Sequence, residues 1–348
     1  MQTLALPIFP AGEFLLQKNR FRFASPIPST FLCASYSRKV TVDGCGEGDR
    51  MCVLGMGFSG RYIGGRLMQE REWNVSGTCR SDAKKKELNK MGIDAFLFDS
   101  TKDRLENLKS LKEATHLLLS IPPAEAGNPL FHSLEKLRDF LGNGNLRWMG
   151  YLSSTSVYGD CGGALVNEDY PANPMNESSK ARLVTEKKWL SLGNQLGVST
   201  YVFRLGGIYG PGRSAIDTLL RKKQLTSYQR MRRLKRFTAR IHVADVYEAV
   251  KASFDVSKSG TYNIVDDNPA SRAEVFAFAR NLIEEKWAGQ VLIDESREAT
   301  RLDSASKAQV RKGEKRVSNV CMKTQLGVNL TFPDYKSGLL SILNSYGE

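Results

Sequence analysis

The tightest constraint on how this chain can fold is the segment Gly55-Met-Gly57-Phe-Ser-Gly60, which ends the apolar run 51–56 and opens a stretch with helical spacing. Glycines in this pattern suit a strand that turns sharply into a helix. The first permits the tight turn, the second lets the backbone come close to a neighbouring group, and the third lets the helix lie against the strand.

Beyond this turn the chain fits a strand–helix series. Short apolar runs at 51–56, 73–78, 95–98, 116–121, 147–153 and 199–204 are bounded by turn residues, as buried parallel strands are. Charged segments with helical spacing lie between them, at 61–71, 82–91, 102–112, 130–141 and 176–193. A βαβα alternation of this length predicts an α/β fold of the Rossmann type, a doubly wound and mostly parallel sheet with helices on both faces. After about 206 the pattern loosens. Short strands at 240–243, 261–265 and 316–318 mix with helices at 244–255, 271–285 and 333–345, which predicts a smaller C-terminal α+β lobe closing over the carboxyl edge of the sheet. The expected organisation is therefore 49–205 for the nucleotide-binding domain and 206–348 for the lobe, the two being interleaved.

At the first βα junction of such a series the glycine turn is a dinucleotide site. The backbone N–H groups of Phe58, Ser59 and Gly60 and the helix dipole would receive the pyrophosphate. Ser120 and Ile121, at the end of the fourth strand, close the same crevice. The second strand ends Cys79-Arg80-Ser81, with no Asp or Glu to hold the ribose hydroxyls in the manner of an NAD site. Arg80 and Ser81 suit a 2′-phosphate, so NADP(H) is expected over NAD(H). Lys84, Lys85 and Lys86 are read as solvating the second helix. Asp99, ending the third strand, is placed to contact the adenine.

Four further motifs extend the picture. They are Tyr151-Leu-Ser-Ser-Thr-Ser-Val-Tyr-Gly159, Phe203-Arg-Leu-Gly-Gly-Ile-Tyr-Gly-Pro-Gly-Arg213, and Arg240-Ile-His-Val-Ala-Asp245 followed by Thr261-Tyr-Asn-Ile-Val-Asp-Asp267. In this order they resemble the extended short-chain dehydrogenase/reductase (NAD-dependent epimerase/dehydratase-like) family. The glycine turn, Lys315-Arg-Val-Ser-Asn319 and Phe332-Pro-Asp-Tyr335 look closest to its atypical YeeZ-like branch. The resemblance spans about 51–340. It implies an oxidoreductase or epimerase-like enzyme acting on a small carbonyl or hydroxyl compound, with Ser154 orienting the substrate oxygen. It also implies a homodimer through helices at 130–141 and 176–193.

The resemblance breaks at the proton relay. The family uses Tyr-x-x-x-Lys on the helix after the fifth strand, where a spacing of four puts both groups on one face. The lysine there lowers the phenol's pKa. Here that helix reads Asn176-Glu-Ser-Ser-Lys-Ala-Arg-Leu-Val-Thr-Glu186. Registering Glu186 on the family's helix puts Ser178 in the tyrosine position and Arg182 in the lysine position; registering Lys180 as the lysine gives Asn176 as its partner. Neither register supplies a tyrosine, and Arg cannot release a proton. Water, Ser178 or Tyr209 would have to carry it. Tyr247 and Lys251 form a Tyr-x-x-x-Lys elsewhere, on a helix the family uses for packing, and are read as coincidental. Tyr158 and Tyr209 are read mainly as shaping the nicotinamide end. Cys161 has no neighbour that would activate it. With the relay missing and the glycine turn kept, the alternative is a non-catalytic, dinucleotide-responsive regulatory or RNA-binding plastid protein.

Composition bounds the remaining classes. Six scattered cysteines without a C-x-x-C pair imply free thiols, and three isolated histidines (His116, His132, His242) argue against a metal site. No run reaches the roughly 18–20 apolar residues of a membrane span. The first 42 residues contain one acidic side chain, Glu13, against five basic ones, with repeated serines. That is the composition of an organelle transit peptide, over 1–48, or else of a disordered terminus. An uncharged start and the stretch at 31–34 suggest a chloroplast leader processed near Cys33–Ala34, with a stromal mature protein. The net charge is +13, and the first 50 residues contribute only two of that excess. Nine basic and no acidic residues lie between Arg221 and Arg240. They suit a phosphorylated ligand, a nucleic acid, or simply a solvated loop, and Tyr228, the one aromatic within the cluster before Phe237, offers no stacking platform.

Overall fold

The computed structural model describes residues 48–70, 73–123, 134–221, 235–287 and 314–347. The expected leader and processing point, His132, and residues 222–234 of the basic stretch lie outside them.

Seven strands form one sheet. They are β1 (Asp49–Leu54), β2 (Trp73–Cys79), β3 (Asp94–Leu97), β4 (His116–Leu119), β5 (Trp148–Ser154), β7 (Ser199–Leu205) and β10 (Gly260–Ile264). Their order is β3-β2-β1-β4-β5-β7-β10, and every pair is parallel. The order reverses between β1 and β4, which opens a crevice at the carboxyl ends of the strands where ligands of such sheets bind. This is the Rossmann fold.

The central strands are buried on both faces, which is why they read as unbroken apolar runs; all four residues of β4 are buried. One core lies between the sheet and helices α1 (Phe58–Met68) and α7 (Val243–Ala252), around Ile63, Leu67, Val246 and Val250. The other lies beneath α3 (Lys109–Glu113), α4 (Leu134–Gly142) and α5 (Glu177–Leu196), around Leu111, Leu137, Trp189 and Leu192. A third cluster joins α6 (Ala215–Leu220), α8 (Arg272–Lys286) and α10 (Tyr335–Asn344) through Ile216, Phe276 and Leu339. Helix α2 (Asp82–Lys90) flanks β2 and β3, and α9 (Val320–Gln325) packs on β10. Two parallel pairs complete the structure, β8 (Gly207–Tyr209) with β9 (Arg240–His242), and β6 (Leu165–Val166) with β11 (Arg316–Val317).

Two expectations need correction. The helix read over 102–112 is a 3-10 turn at Leu105–Asn107 followed by α3, with Leu108 in extended conformation between them. Leu105, Leu108 and Leu111 recur every three residues and are all buried, a spacing that a three-residue turn satisfies better than an α-helix. The strand expected at 261–265 is not confined to the lobe. As β10 it forms the seventh strand of the large sheet, because Gly260–Ile264 pairs with Tyr201–Leu205 of β7.

Candidate functional site

The turn after β1 is pinned by β2. The backbone N–H of Gly55 donates to Thr78 Oγ1 (2.9 Å) and that of Met56 to the Thr78 carbonyl (2.8 Å). Gly55 has φ +101°, in the region that disfavours side chains. A Cβ at Gly60 would lie 2.4 Å from the Gly55 carbonyl oxygen, so only glycine lets α1 start this close to the strand. Gly57 differs. Its backbone is extended, and a Cβ there would meet nothing within 4 Å. The absence of a side chain at 57 therefore leaves open space above the turn.

The first backbone bond of α1 runs from the Arg61 N–H to the Gly57 carbonyl, and no side chain caps the helix. The N–H groups of Phe58, Ser59 and Gly60 thus precede the helical ladder, beside that open space. Ser120 continues β4 by donating to the Leu54 carbonyl (2.8 Å), and Ile121 packs where a Gly55 Cβ would otherwise sit. Gly55, Gly57, Phe58, Ser59, Gly60, Ser120 and Ile121 are brought together, and the geometry fits a dinucleotide pyrophosphate.

At the end of β2, Arg80 is exposed and makes no ion pair among the described residues. Ser81 caps α2 by accepting from the Lys84 N–H (3.4 Å), and Lys84 and Arg61 both bind Glu87. Asp99 accepts from the Thr101 N–H and Oγ1 (3.0 and 2.7 Å). Those two bonds, with Arg80 among nearby cations, hold its carboxyl below the usual range. Arg80 and Asp99 therefore share one corner of the crevice, while Ser81 also has a capping role.

The candidate reaction side lies at the ends of β5 and β7. Ser154 is half-buried and caps the short helix Thr155–Tyr158, its Oγ accepting from the Ser156 N–H (3.2 Å). Ser178 stands exposed in the first turn of α5. Arg182, one turn further, is half-buried near Tyr151 and opposes the rise in that phenol's pKa, which burial pushes up to about 12. Tyr209 does not present a free hydroxyl. It donates to the Asp334 carbonyl (3.2 Å) above Gly338, and burial raises its pKa far out of the physiological range. Tyr158 donates to Asn263 Oδ1 (2.8 Å) and is likewise raised by burial. The Cys161 thiol is raised by burial despite nearby Lys315. Tyr247 and Lys251 both bind Glu70 just past the far end of α1, roughly 15 Å from the glycine turn at 1.5 Å per residue.

Sequence reading missed the group that organises this side. Arg204 and Glu186 form a buried pair, with Nη2 to Oε2 at 2.8 Å, and Ser153 donates to Glu186 Oε1 (2.5 Å). The Arg204 guanidinium also lies 4.8 Å over the Tyr158 ring. A signal existed, since an arginine inside the apolar strand 199–205 demands a partner. Lys315 was missed as well. Its ammonium donates to the Gly159 carbonyl (3.0 Å), and burial lowers its pKa to about 8. Of the basic stretch, Arg240 is buried against the Ala270 carbonyl and the Tyr335 ring, and Arg236 pairs with Glu314. These two serve the fold. No cluster of three or more metal-ligating residues occurs among the described residues.

No protein-family model matches the chain. Protein YeeZ of Escherichia coli strain K12 is 28% identical over 170 residues, which take in 47% of this chain and 60% of the relative. The match therefore spans less than two thirds of that curated relative's length. A functionally unknown conserved protein from Silicibacter pomeroyi DSS superposes with a TM-score of 0.67 at 28% identity, covering 86% of this chain and all of that one. UDP-glucuronic acid 4-epimerase from Bacillus cereus, solved in complex with NAD, gives a TM-score of 0.62 at 16% identity over 85% of this chain and 96% of its own. The fold is that of NAD-dependent epimerase/dehydratase-type proteins. Among the described residues no helix is long and apolar enough to cross a membrane.

Proposed function

We propose that the chain binds a nicotinamide dinucleotide, NADP(H) in preference to NAD(H), and acts as an oxidoreductase or epimerase-like enzyme on a small carbonyl or hydroxyl compound. The observation that carries the binding is the open space over Gly57, bordered by the N–H groups of Phe58, Ser59 and Gly60. The bound cofactor would supply hydride chemistry. Arg80, exposed and without an ion pair among the described residues, is the residue we assign to the 2′-phosphate. That NAD occupies the epimerase of Bacillus cereus supports the cofactor class and leaves the choice of phosphate to Arg80. Titrating NADPH and NADH into the full chain and into Arg80→Ala tests this. The variant is expected to lose about tenfold affinity for NADPH while NADH is little changed. Equal losses for both would remove the assignment.

For the chemistry, Ser154 is the group that orients a substrate oxygen, and the proton passes through water or Ser178. Tyr209 is set aside because its hydroxyl is bound to Asp334. Ser154→Ala should then lower kcat against a carbonyl panel with NADPH, leaving NADPH affinity unchanged. A second reading, a dinucleotide-responsive protein without turnover, is favoured by one observation: Tyr158 and Tyr209 donate to Asn263 and to the Asp334 carbonyl, and Tyr151 is buried. Full-chain NADPH binding with no consumption across the panel would select it. We place the protein in a plastid on its leader composition, and expect a homodimer.

A further inference from the structure

Arg213 reaches the glycine turn from the other half of the chain. Residues 210–213 form a tight turn, with the Gly210 N–H donating to the Arg213 carbonyl (3.2 Å) and the Arg213 N–H to the Gly210 carbonyl (3.0 Å). Pro211 fixes the first corner and Gly212 takes φ +78° at the second, the requirement of a type II turn. Arg221 braces it from the end of α6 by donating to the Gly212 carbonyl (3.3 Å). Gly210 is pressed against α1 and α7: a Cβ there would lie 3.3 Å from Phe58 Cζ and 2.6 Å from Val243 Cγ1.

The turn therefore holds Arg213 in one place, with its guanidinium 5.2 Å over the ring of Phe58. Phe58 is the first residue of α1. Arg213 is exposed and has no carboxylate partner among the described residues. The other cation of this helix end, Arg61, is tied to Glu87 at 2.6 Å. The glycine turn itself offers N–H dipoles but no full positive charge, whereas a dinucleotide pyrophosphate carries two negative ones.

We propose that Arg213 is the cation of the dinucleotide site, closing over the cofactor's pyrophosphate from the loop that leads into α6. This rests on the dinucleotide reading above. It gives Arg213 a task distinct from that of Arg80: the pyrophosphate is common to NADPH and NADH, so Arg213 sets affinity without setting preference. The planar guanidinium can donate two parallel bonds to phosphate oxygens while its face stays on the Phe58 ring, which lysine cannot do.

The test titrates NADPH, NADH, ADP-ribose and UDP-glucose into the full-length chain and into Arg213→Ala, Arg213→Lys and Arg80→Ala. Arg213→Ala is expected to weaken NADPH, NADH and ADP-ribose together, each by about tenfold or more, leaving the NADPH:NADH ratio unchanged. Arg213→Lys should recover part of the loss, and the melting temperature should stay at the wild-type value because the side chain is exposed. Arg80→Ala should instead change the ratio. Wild-type affinity for NADPH, NADH and ADP-ribose in Arg213→Ala would overturn the proposal. So would a loss confined to UDP-glucose, which would assign Arg213 to a substrate diphosphate. A wild-type chain that binds no dinucleotide would remove the site reading first, and this proposal with it.

Discussion

Gly57 and Gly60 have the same side chain for opposite reasons, and substitution separates them. At Gly57 the backbone is extended and a Cβ points into open space, so alanine costs the fold little. Gly57→Ala is expected to keep the wild-type melting temperature and to lose about tenfold or more in NADPH affinity, because its methyl occupies the pyrophosphate's approach. At Gly60 a Cβ would fall 2.4 Å from the Gly55 carbonyl oxygen and 3.1 Å from Val53 Cγ1. Gly60→Ala must displace α1 from the sheet, and a loss of about 1–3 kcal/mol in urea unfolding is expected. If the two variants behaved alike in stability, the division of labour within the turn would be wrong. At this scale the sequence was informative wherever spacing alone decides, since three glycines after a strand leave few alternatives. It was silent on Arg213, whose contact with Phe58 joins two parts of the chain separated by most of the sheet.

Among elements, the alternation of β1 to β7 with their helices was legible because buried parallel strands leave continuous apolar runs, and the observed ends fall within three residues of those runs. Three-residue periodicity misled the reading of 102–112, and no local signal told that Gly260–Ile264 would join β7. The Glu186–Arg204 pair lay half in view, an arginine visible in a strand with its partner hidden on α5. This pair joins α5 to β7 at the end of the sheet that holds Ser154, and both side chains are buried. Its removal is a test of what fixes α5. Glu186→Ala leaves a buried guanidinium without its counter-charge, and a loss of about 3–5 kcal/mol is expected in denaturant unfolding. The double replacement Glu186→Leu with Arg204→Met removes both charges and should be distinctly milder. A double variant as unstable as the single one would mean that packing, and not charge compensation, governs this contact.

Among the described residues, four of the groups whose titration burial shifts oppose one another. Burial holds His116 and His242 down to about 4, so their contribution to stability is full above the unfolded value near 6.5 and is lost as pH falls towards about 4. Burial pushes Asp245 up to about 6 and Asp266 up to about 8. For these acids the sign reverses: the contribution is full below the unfolded value of roughly 3.9 and is lost as pH rises through the folded pKa. Between about 4 and 6 the pairs offset each other. Above about pH 7 Asp266 dominates the four, ringed by Arg240, which favours its charge, and by Asp267 and Asp334, which disfavour it. Lys315, lowered to about 8 by burial, releases its proton near the top of that range and works in the opposite sense, favouring the folded chain as pH rises. Asp266 therefore contributes a fall in stability as pH rises towards 8, at most about 1.4 kcal/mol per pH unit, which the two histidines near 6.5 and Lys315 near 8 partly offset. Asp266→Asn keeps the shape of the neutral acid and removes the titration. Urea unfolding at pH 6.5, 7, 7.5 and 8 should show the variant gaining stability over the wild-type chain as pH rises across the series. Parallel slopes for the two proteins would mean that Asp266 is ionised throughout, its charge compensated by Arg240.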